Sequence, residues 1–114
     1  MTRSDDALWS AIADPSRRRV LDLLVRGGAA SASALADEVP FTRQAVMKHL
    51  AALEDVGLVT RAREGRAVRF AVDAQRLDEA TRGMTQLAAE WDRRLQSIKR
   101  IAETAHRRAQ RDKP

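Results

Sequence analysis

Apolar residues recur every three or four positions over most of the chain, a spacing typical of amphipathic α-helices. In the first half the pattern predicts helices over residues 5–13, 15–26 and 43–56, with a short one carrying Leu35, Ala36 and Val39. Asp14, Thr42 and either Ser31 or Ser33 are suited to cap them, and Pro15 suits a first helical position. The expected buried stripes are Val20, Leu21, Leu24 and Val25 on the second helix, and Val46, Leu50 and Leu53 on the fourth.

The period changes to two over residues 58–63 and 67–72, which predicts two strands. Val68, Phe70 and Val72 then share one face, and Glu64-Gly65 between the runs predicts a hairpin turn. From about residue 75 to 108 the helical period returns, and Gly83 is expected to kink or divide that helix. Its apolar seam has a spacing near 3.5 and comprises Leu77, Ala80, Met84, Leu87, Trp91, Leu95, Ile98, Ile101 and Ala105.

This seam could pack on its own domain or on a second copy of the chain. About 30 helical residues extend roughly 45 Å, which is more than a small domain covers, so pairing between copies is the favoured interpretation. The first helix is expected to pack on the same seam. The predicted dimer interface therefore comprises Leu8, Trp9, Ile12, Met84, Leu87, Trp91, Leu95 and Ile98.

The order of elements predicts one mainly α domain over residues 1–114 with a small two-stranded β-wing. A short helix, a turn, a longer helix and a hairpin form a winged helix-turn-helix, here over about residues 5–72. A long terminal helix over about residues 75–109 follows and is expected to form the dimer contact.

The fourth helix is the predicted recognition helix for duplex DNA. With its apolar stripe turned inward, the opposite face presents Thr42, Arg43, Gln44, Met47 and Lys48. Arg pairs well with guanine and Gln with adenine in the major groove. The hairpin adds Arg61, Arg63, Arg66 and Arg69, so residues 42–69 hold six basic and three acidic side chains. The hairpin charges favour contacts with phosphates; the alternative is that they form only a solvated face.

Composition supports a polyanionic partner and argues against an enzyme. The net charge is +5, and most of the 21 Lys and Arg residues are Arg. There is no cysteine and there are only two histidines, so no catalytic constellation is visible and no thiolate metal site is possible. The first residues lack the apolar stretch of a signal peptide and no run is long enough to cross a bilayer, so the expected location is the cytoplasm.

The residues Ala45-Val46-Met47-Lys48-His49-Leu50, with Gly57-Leu58-Val59 after them, resemble the ArsR family of bacterial repressors. The similarity spans about residues 8–70 and is greatest to the branch that lacks metal sites, termed SdpR-like or autorepressor-like. It implies a dimeric winged-helix repressor whose groove-facing positions are Arg43, Gln44, Met47 and Lys48. Met47 departs from the family pattern, in which Ser is common.

The resemblance also identifies where metal ligands would lie in sensors of this family. Thiolate sensors have cysteines where this chain has Ser31-Ala32-Ser33, and a hydroxyl does not replace a thiolate for a soft metal. A second family site uses paired terminal helices, where Glu103 and His106 are the candidates here. We expect no metal and no other cofactor. A metal- or ligand-responsive sensor and a winged-helix protein-interaction module remain the alternatives.

Overall fold

The computed structural model describes residues 3–112 and has the predicted order of elements. Four helices precede a hairpin, and one long helix follows it. The elements are α1 (Arg3–Ala13), α2 (Pro15–Gly27), α3 (Ala32–Ala36), α4 (Arg43–Asp55), β1 (Val59–Glu64), β2 (Ala67–Val72) and α5 (Ala74–Arg111).

Side-chain caps fix where three of the helices begin. Asp14 Oδ1 accepts hydrogen bonds from the backbone N–H of Ser16 at 2.9 Å and of Arg17 at 3.1 Å. Thr42 Oγ1 and Ser31 Oγ each accept one backbone N–H at 3.1 Å, from Ala45 and Ala34. These bonds satisfy amide groups that have no partner inside a helix. Ser31, and not Ser33, is thus the cap of α3.

The core of the first part of the chain is formed by the four helices α1, α2, α3 and α4 together with the hairpin. The three predicted inward residues of α4, Val46, Leu50 and Leu53, are each 0% exposed. They pack with Val20, Leu21, Leu24, Leu35, Leu58 and Phe70. The prediction for Val25 is wrong, since it is 52% exposed. At about 100° per residue it points roughly a right angle away from the centre of the stripe formed by its neighbours.

Leu8 is a second correction. It was expected at a dimer interface but is 0% exposed within the core of this chain. A side chain with no accessible surface offers nothing for a second copy to contact. Trp9 and Ile12, which were predicted together with it, are only partly buried against the same core.

The hairpin is antiparallel, with Glu64 opposite Ala67. Gly65 and Arg66 therefore form the two-residue turn, one position later than the predicted Glu64-Gly65. Gly65 has φ 62° and no non-glycine residue has a positive φ among the described ones, as in a type II′ turn. Ala30 adds a bridge that the sequence did not indicate, exchanging two backbone hydrogen bonds with Phe70 at 2.8 and 3.0 Å.

The terminal helix α5 runs without interruption through Gly83, so the expected kink is absent from it. Asp73 precedes it, and its carboxylate accepts the backbone N–H of Arg76 at 3.1 Å. Contacts divide the chain into two compact units, one ending at Ala80 and one beginning at Thr81. Ala80 is buried in the first unit, whereas most of α5 belongs to the second.

None of the helices within residues 3–112 has both the length and the hydropathy that a membrane span requires.

We expect the charge of Asp14 to stabilise the fold only while the carboxylate is ionised. The hydrogen bond from the backbone N–H of Arg17, above all, lowers the pKa of Asp14 below its ordinary value of 3.8. A group with a lowered folded-state pKa contributes stability that is lost as the pH falls through that pKa. The Asp14→Asn variant keeps a capping oxygen without the charge. Its melting temperature should lie below that of the wild type at neutral pH, with the gap closing in acid. A gap that is unchanged at low pH would contradict this role.

Candidate nucleic-acid interface

Helix α4 has one buried face and one exposed polar face. The buried stripe anchors it to the core, while Thr42, Arg43, Gln44, Met47 and Lys48 are all exposed. The side chains of Arg43, Gln44 and Lys48 form no hydrogen bond or ion pair with any residue that the structure describes. The face predicted to meet DNA is therefore accessible within this chain.

The exposed face of α4 has a centre and a flank. Successive residues turn by about 100°, so Gln44 and Lys48 lie opposite the buried stripe. Arg43 and Met47 lie to one side and line a groove together with Arg61 and Arg66 of the hairpin. The centre of the face points away from the core, and the flank points toward the wing.

His49 lies at the edge of the buried stripe. Its ring packs edge-on against Phe41, with ring centroids 5.5 Å apart and an interplanar angle of 80°. Its Nδ1 is buried and has no hydrogen-bond partner among the described residues. The position fits a packing role for this side chain.

Arg61 braces the wing against α4. Its Nε donates to Glu54 Oε2 at 2.8 Å and its second nitrogen donates to Glu54 Oε1, which makes a two-point contact with the carboxylate. Its guanidinium also lies 5.1 Å from the centroid of Phe70. The hydrogen bonds to Glu54 raise the pKa of Arg61 above its already high ordinary value. Arg61 is thus charged but engaged inside the protein.

Arg69 is also engaged, on the other face of the hairpin. The register places Arg61 opposite Phe70 and Arg63 opposite Val68, so these two arginines share the face of Phe70. Arg69 projects from the opposite face, where it contacts Glu64 at 3.3 Å and donates to the carbonyl of Ala29 at 3.2 Å. Two of the four predicted wing arginines therefore hold the hairpin in place.

Arg63 and Arg66 are the wing arginines without an internal partner. Neither side chain forms an ion pair or hydrogen bond with another residue in the described range. Arg66 occupies the turn itself, and Arg63 lies near the end of β1. The sequence indicated four equivalent charges, but the structure divides them into two that brace and two that remain available.

The role of Glu54 was missed from the sequence. It lies in the last turn of α4, seven residues before Arg61, with a helix end and a turn between them. No helical or strand period relates two such positions. The only signal was the presence of acidic residues, Glu54 and Asp55, within a segment of net positive charge.

The second unit carries an exposed apolar stripe along α5. Trp91, Leu95 and Ile98 are 53, 59 and 61% exposed, Met84 and Ile101 are also exposed, and Leu87 is half-buried. Arg94 lies over the ring of Trp91, with its guanidinium carbon 5.3 Å from the centroid. Within this unit the predicted interface residues of α5 lie along one face of the helix.

The candidate metal ligands Glu103 and His106 lie near the end of α5. His106 Nε2 is 3.2 Å from Gln110 Nε2. Across residues 3–112 no three His, Cys, Asp or Glu side chains are grouped closely enough to hold a metal ion.

Comparison with known proteins places this fold in a family. A family model described as a helix-turn-helix domain matches residues 12–62. The HTH-type transcriptional regulator YuzN of Bacillus subtilis is 38% identical over 72 residues, which cover 58% of this chain and 78% of YuzN. The transcriptional repressor SdpR of the same organism is 26% identical over 88 residues, covering 77% of this chain and 97% of SdpR.

A solved structure extends the similarity to three dimensions. An ArsR-like transcriptional regulator from Rhodococcus sp. RHA1 is 39% identical, has a TM-score of 0.75, and is matched over 87% of this chain and 92% of its own. The fold and the exposed face of α4 together define a winged helix-turn-helix protein. The chain belongs to the ArsR family of transcriptional regulators, as the sequence resemblance indicated.

Proposed function

We propose that two copies of this chain bind a palindromic operator in duplex DNA and repress transcription from it. One observation carries the proposal: α4 buries Val46, Leu50 and Leu53 completely and leaves Arg43, Gln44 and Lys48 exposed and unpaired among the described residues. The major groove of DNA is wide enough to admit an α-helix, and a helix anchored in this way presents its hydrogen-bonding side chains outward to such a groove. SdpR, which is similar over most of its length, is a repressor by name.

The centre and flank of α4 have different tasks in this proposal. Gln44 and Lys48 point straight away from the core, where base edges would lie. Arg43, in the first turn, is placed to read a guanine, since recognition helices present their N-terminal residues to the bases. Thr42 Oγ1 already caps the helix, so its contribution is to fix where Arg43 and Gln44 begin.

The wing contacts the DNA backbone in this proposal. Arg63 and Arg66 supply the phosphate contacts because both lack internal partners in the described part of the chain. Arg61 and Arg69 are paired with Glu54 and Glu64, which offset their charges, and their donors are used to hold the hairpin. Phosphate contacts position a protein on the duplex without reading its sequence.

The second copy covers the stripe on α5. Trp91, Leu95 and Ile98 are more than half exposed, and a patch of large apolar side chains on this scale marks an interaction surface. The seam repeats with the spacing that lets two identical helices pack side by side. Met84 and Leu87 continue it, and Trp9 and Ile12 of α1 remain candidates for the same contact.

We place the regulator in the cytoplasm, with its DNA, and propose that it works without a metal cofactor. The hydroxyls of Ser31 and Ser33 occupy positions where thiolate sensors of the family have cysteines, and a hydroxyl is a poor ligand for a soft metal. Zinc titration of the protein–operator complex tests this part, because a sensor would change its DNA affinity.

The central test is selection of binding sites from random duplex DNA, followed by substitution of Arg43. Arg43→Ala should weaken binding to the selected operator by about 1–3 kcal/mol and relax the preference at one base position. Quantitative binding assays on the operator and its single-base variants measure both effects. Arg19→Ala is the matched control, since Arg19 is exposed on α2, outside α4 and the wing.

If Arg43→Ala weakened binding to every DNA sequence equally, the role of Arg43 would be restricted to a phosphate contact. Failure of the wild type to select any duplex would refute the proposal.

The two unpaired wing arginines should control the salt dependence of binding. The slope of log affinity against log salt is negative, and Arg63→Ala and Arg66→Ala should each reduce its magnitude by about one unit, because each removes one phosphate contact. Binding measured over a series of salt concentrations gives the slope. An unchanged slope in both variants would exclude the wing from the DNA contact.

The stripe on α5 should control assembly. Ile98→Glu places a carboxylate at the centre of the stripe, whereas Gln96→Glu places the same charge on a different face of the helix. Ile98→Glu should raise the dimer dissociation constant at least roughly a hundredfold, since burying an unpaired charge costs several kcal/mol. Sedimentation analysis measures the constant, and equal effects of the two variants would argue against the stripe as the interface.

A further inference from the structure

A groove of about 390 Å³ lies between α4, the start of α3 and the wing. Arg43 and Met47 of α4 form one side, and Arg61 and Arg66 of the hairpin form the other. All of these residues belong to the first compact unit. The volume falls in the range of about 300–1,000 Å³ that is typical of small-molecule sites.

The rim of the groove is strongly cationic. It holds three guanidinium groups, and of these only Arg61 is paired with a carboxylate, that of Glu54. Arg43 and Arg66 have no ion pair with any residue placed by the structure. Two uncompensated positive charges thus face the same space, which favours an anion.

Half of the residues that line the groove are apolar, and this part of the lining is termed its apolar floor. Met47 and Val68 line it together with Ala67, whereas Phe70 and Ala32, which also border the groove, are buried. Ser31 and Ser33 add hydroxyls at one end, and Ser31 Oγ accepts the N–H of Ala34, so its proton is free to be donated outward. A surface that only follows DNA phosphates requires charge but no apolar floor. An apolar lining with a few convergent polar groups is instead typical of a site for an organic ligand.

We propose that this groove binds a small organic anion, a carboxylate or phosphate monoester that carries an aromatic or branched apolar body. The anionic group pairs with Arg43 and Arg66, for which planar two-point contacts are available. The apolar body covers Met47 and Val68. Arg61 stays with Glu54 and limits how far the wing side of the groove moves.

The ligand and the operator exclude each other. Arg43 and Met47 line the groove and also belong to the face of α4 that we propose for DNA, so the coupling to DNA rests on the proposed function. A ligand seated between them and Arg66 removes one base contact and one phosphate contact at the same time. It therefore acts as an effector that releases the regulator from DNA.

Three probes separate the two features of the groove: phenyl phosphate, inorganic phosphate and benzyl alcohol. Calorimetry and amide chemical shifts follow their binding to the full chain. Phenyl phosphate should bind at least roughly tenfold more tightly than inorganic phosphate, because its ring covers the apolar floor. Benzyl alcohol, which has the ring but no charge, should bind no more tightly than inorganic phosphate. Equal affinity for phenyl phosphate and inorganic phosphate would overturn the proposal.

Substitutions locate the site. Arg66→Ala should weaken phenyl phosphate at least roughly tenfold, and Met47→Gln should weaken phenyl phosphate but leave inorganic phosphate unchanged. Arg19→Ala, which removes an exposed arginine from α2, should leave all affinities unchanged. Loss of binding in Arg19→Ala to the same extent as in Arg66→Ala would show a diffuse charge effect and overturn the site.

Operator titrations with and without phenyl phosphate test the coupling. The apparent dissociation constant for DNA should rise in proportion to probe concentration above saturation of the groove. If phenyl phosphate binds and no duplex DNA does, the proposed function is refuted and the proposal of an anion site in the groove is retained. If DNA binds and the probe does not, the groove fails alone, and simultaneous binding of both overturns the exclusion.

Discussion

The burial of Val46, Leu50 and Leu53 is the constraint on which the rest of this structure depends. These side chains are fully inaccessible and lie on one face of a helix of 13 residues. Because the helical period is fixed, seating that face against the core also fixes which residues point outward. The polar face of α4 is thus a consequence of packing at the opposite side. A rotation of α4 by one position would expose part of the core and would bury Glu54 in one direction or His49 in the other, and burying such a group without a partner is costly.

The wing obtains its position from the same helix through a polar contact. Glu54 at the end of α4 holds Arg61 by two hydrogen bonds, while Ala30 pairs with Phe70 and Arg69 reaches the carbonyl of Ala29. A two-stranded hairpin alone is at best marginally stable in water. These contacts anchor it along both strands and leave the turn, with Arg66, projecting. The division of the arginines into bracing and available groups follows from this anchoring.

The sequence predicted what local rules determine and missed what only tertiary contacts determine. The starts of α2 and α4 followed from Asp14 and Thr42, whose caps act over two or three residues. The exposure of Val25, the burial of Leu8 and the bridge at Ala30 depend on which neighbours arrive from elsewhere in the chain. Gly83 did not interrupt α5, since a single glycine lowers helix stability by only about 1 kcal/mol. Arg61 and Arg63 alternate along one strand and look alike in sequence, and the position of Glu54 is what engages Arg61 and leaves the side chain of Arg63 available.

The chain exposes one apolar surface, on α5, and one cationic and polar surface, on α4 and the wing. The chemistry of each surface suits a different kind of partner. Covering the stripe of Trp91, Leu95 and Ile98 with apolar surface is favourable, and apart from the indole N–H of Trp91 these side chains offer no hydrogen bonds to a nucleic acid. The face of α4 and the turn of the wing present unpaired hydrogen-bond donors. In an apolar contact these donors would lose their bonds to water without replacement, whereas phosphates and base edges would accept new hydrogen bonds from them. Protein should therefore cover α5, and DNA or a small anion should meet α4. This assignment depends on the chemistry of each surface and would hold for any relative orientation of the two units.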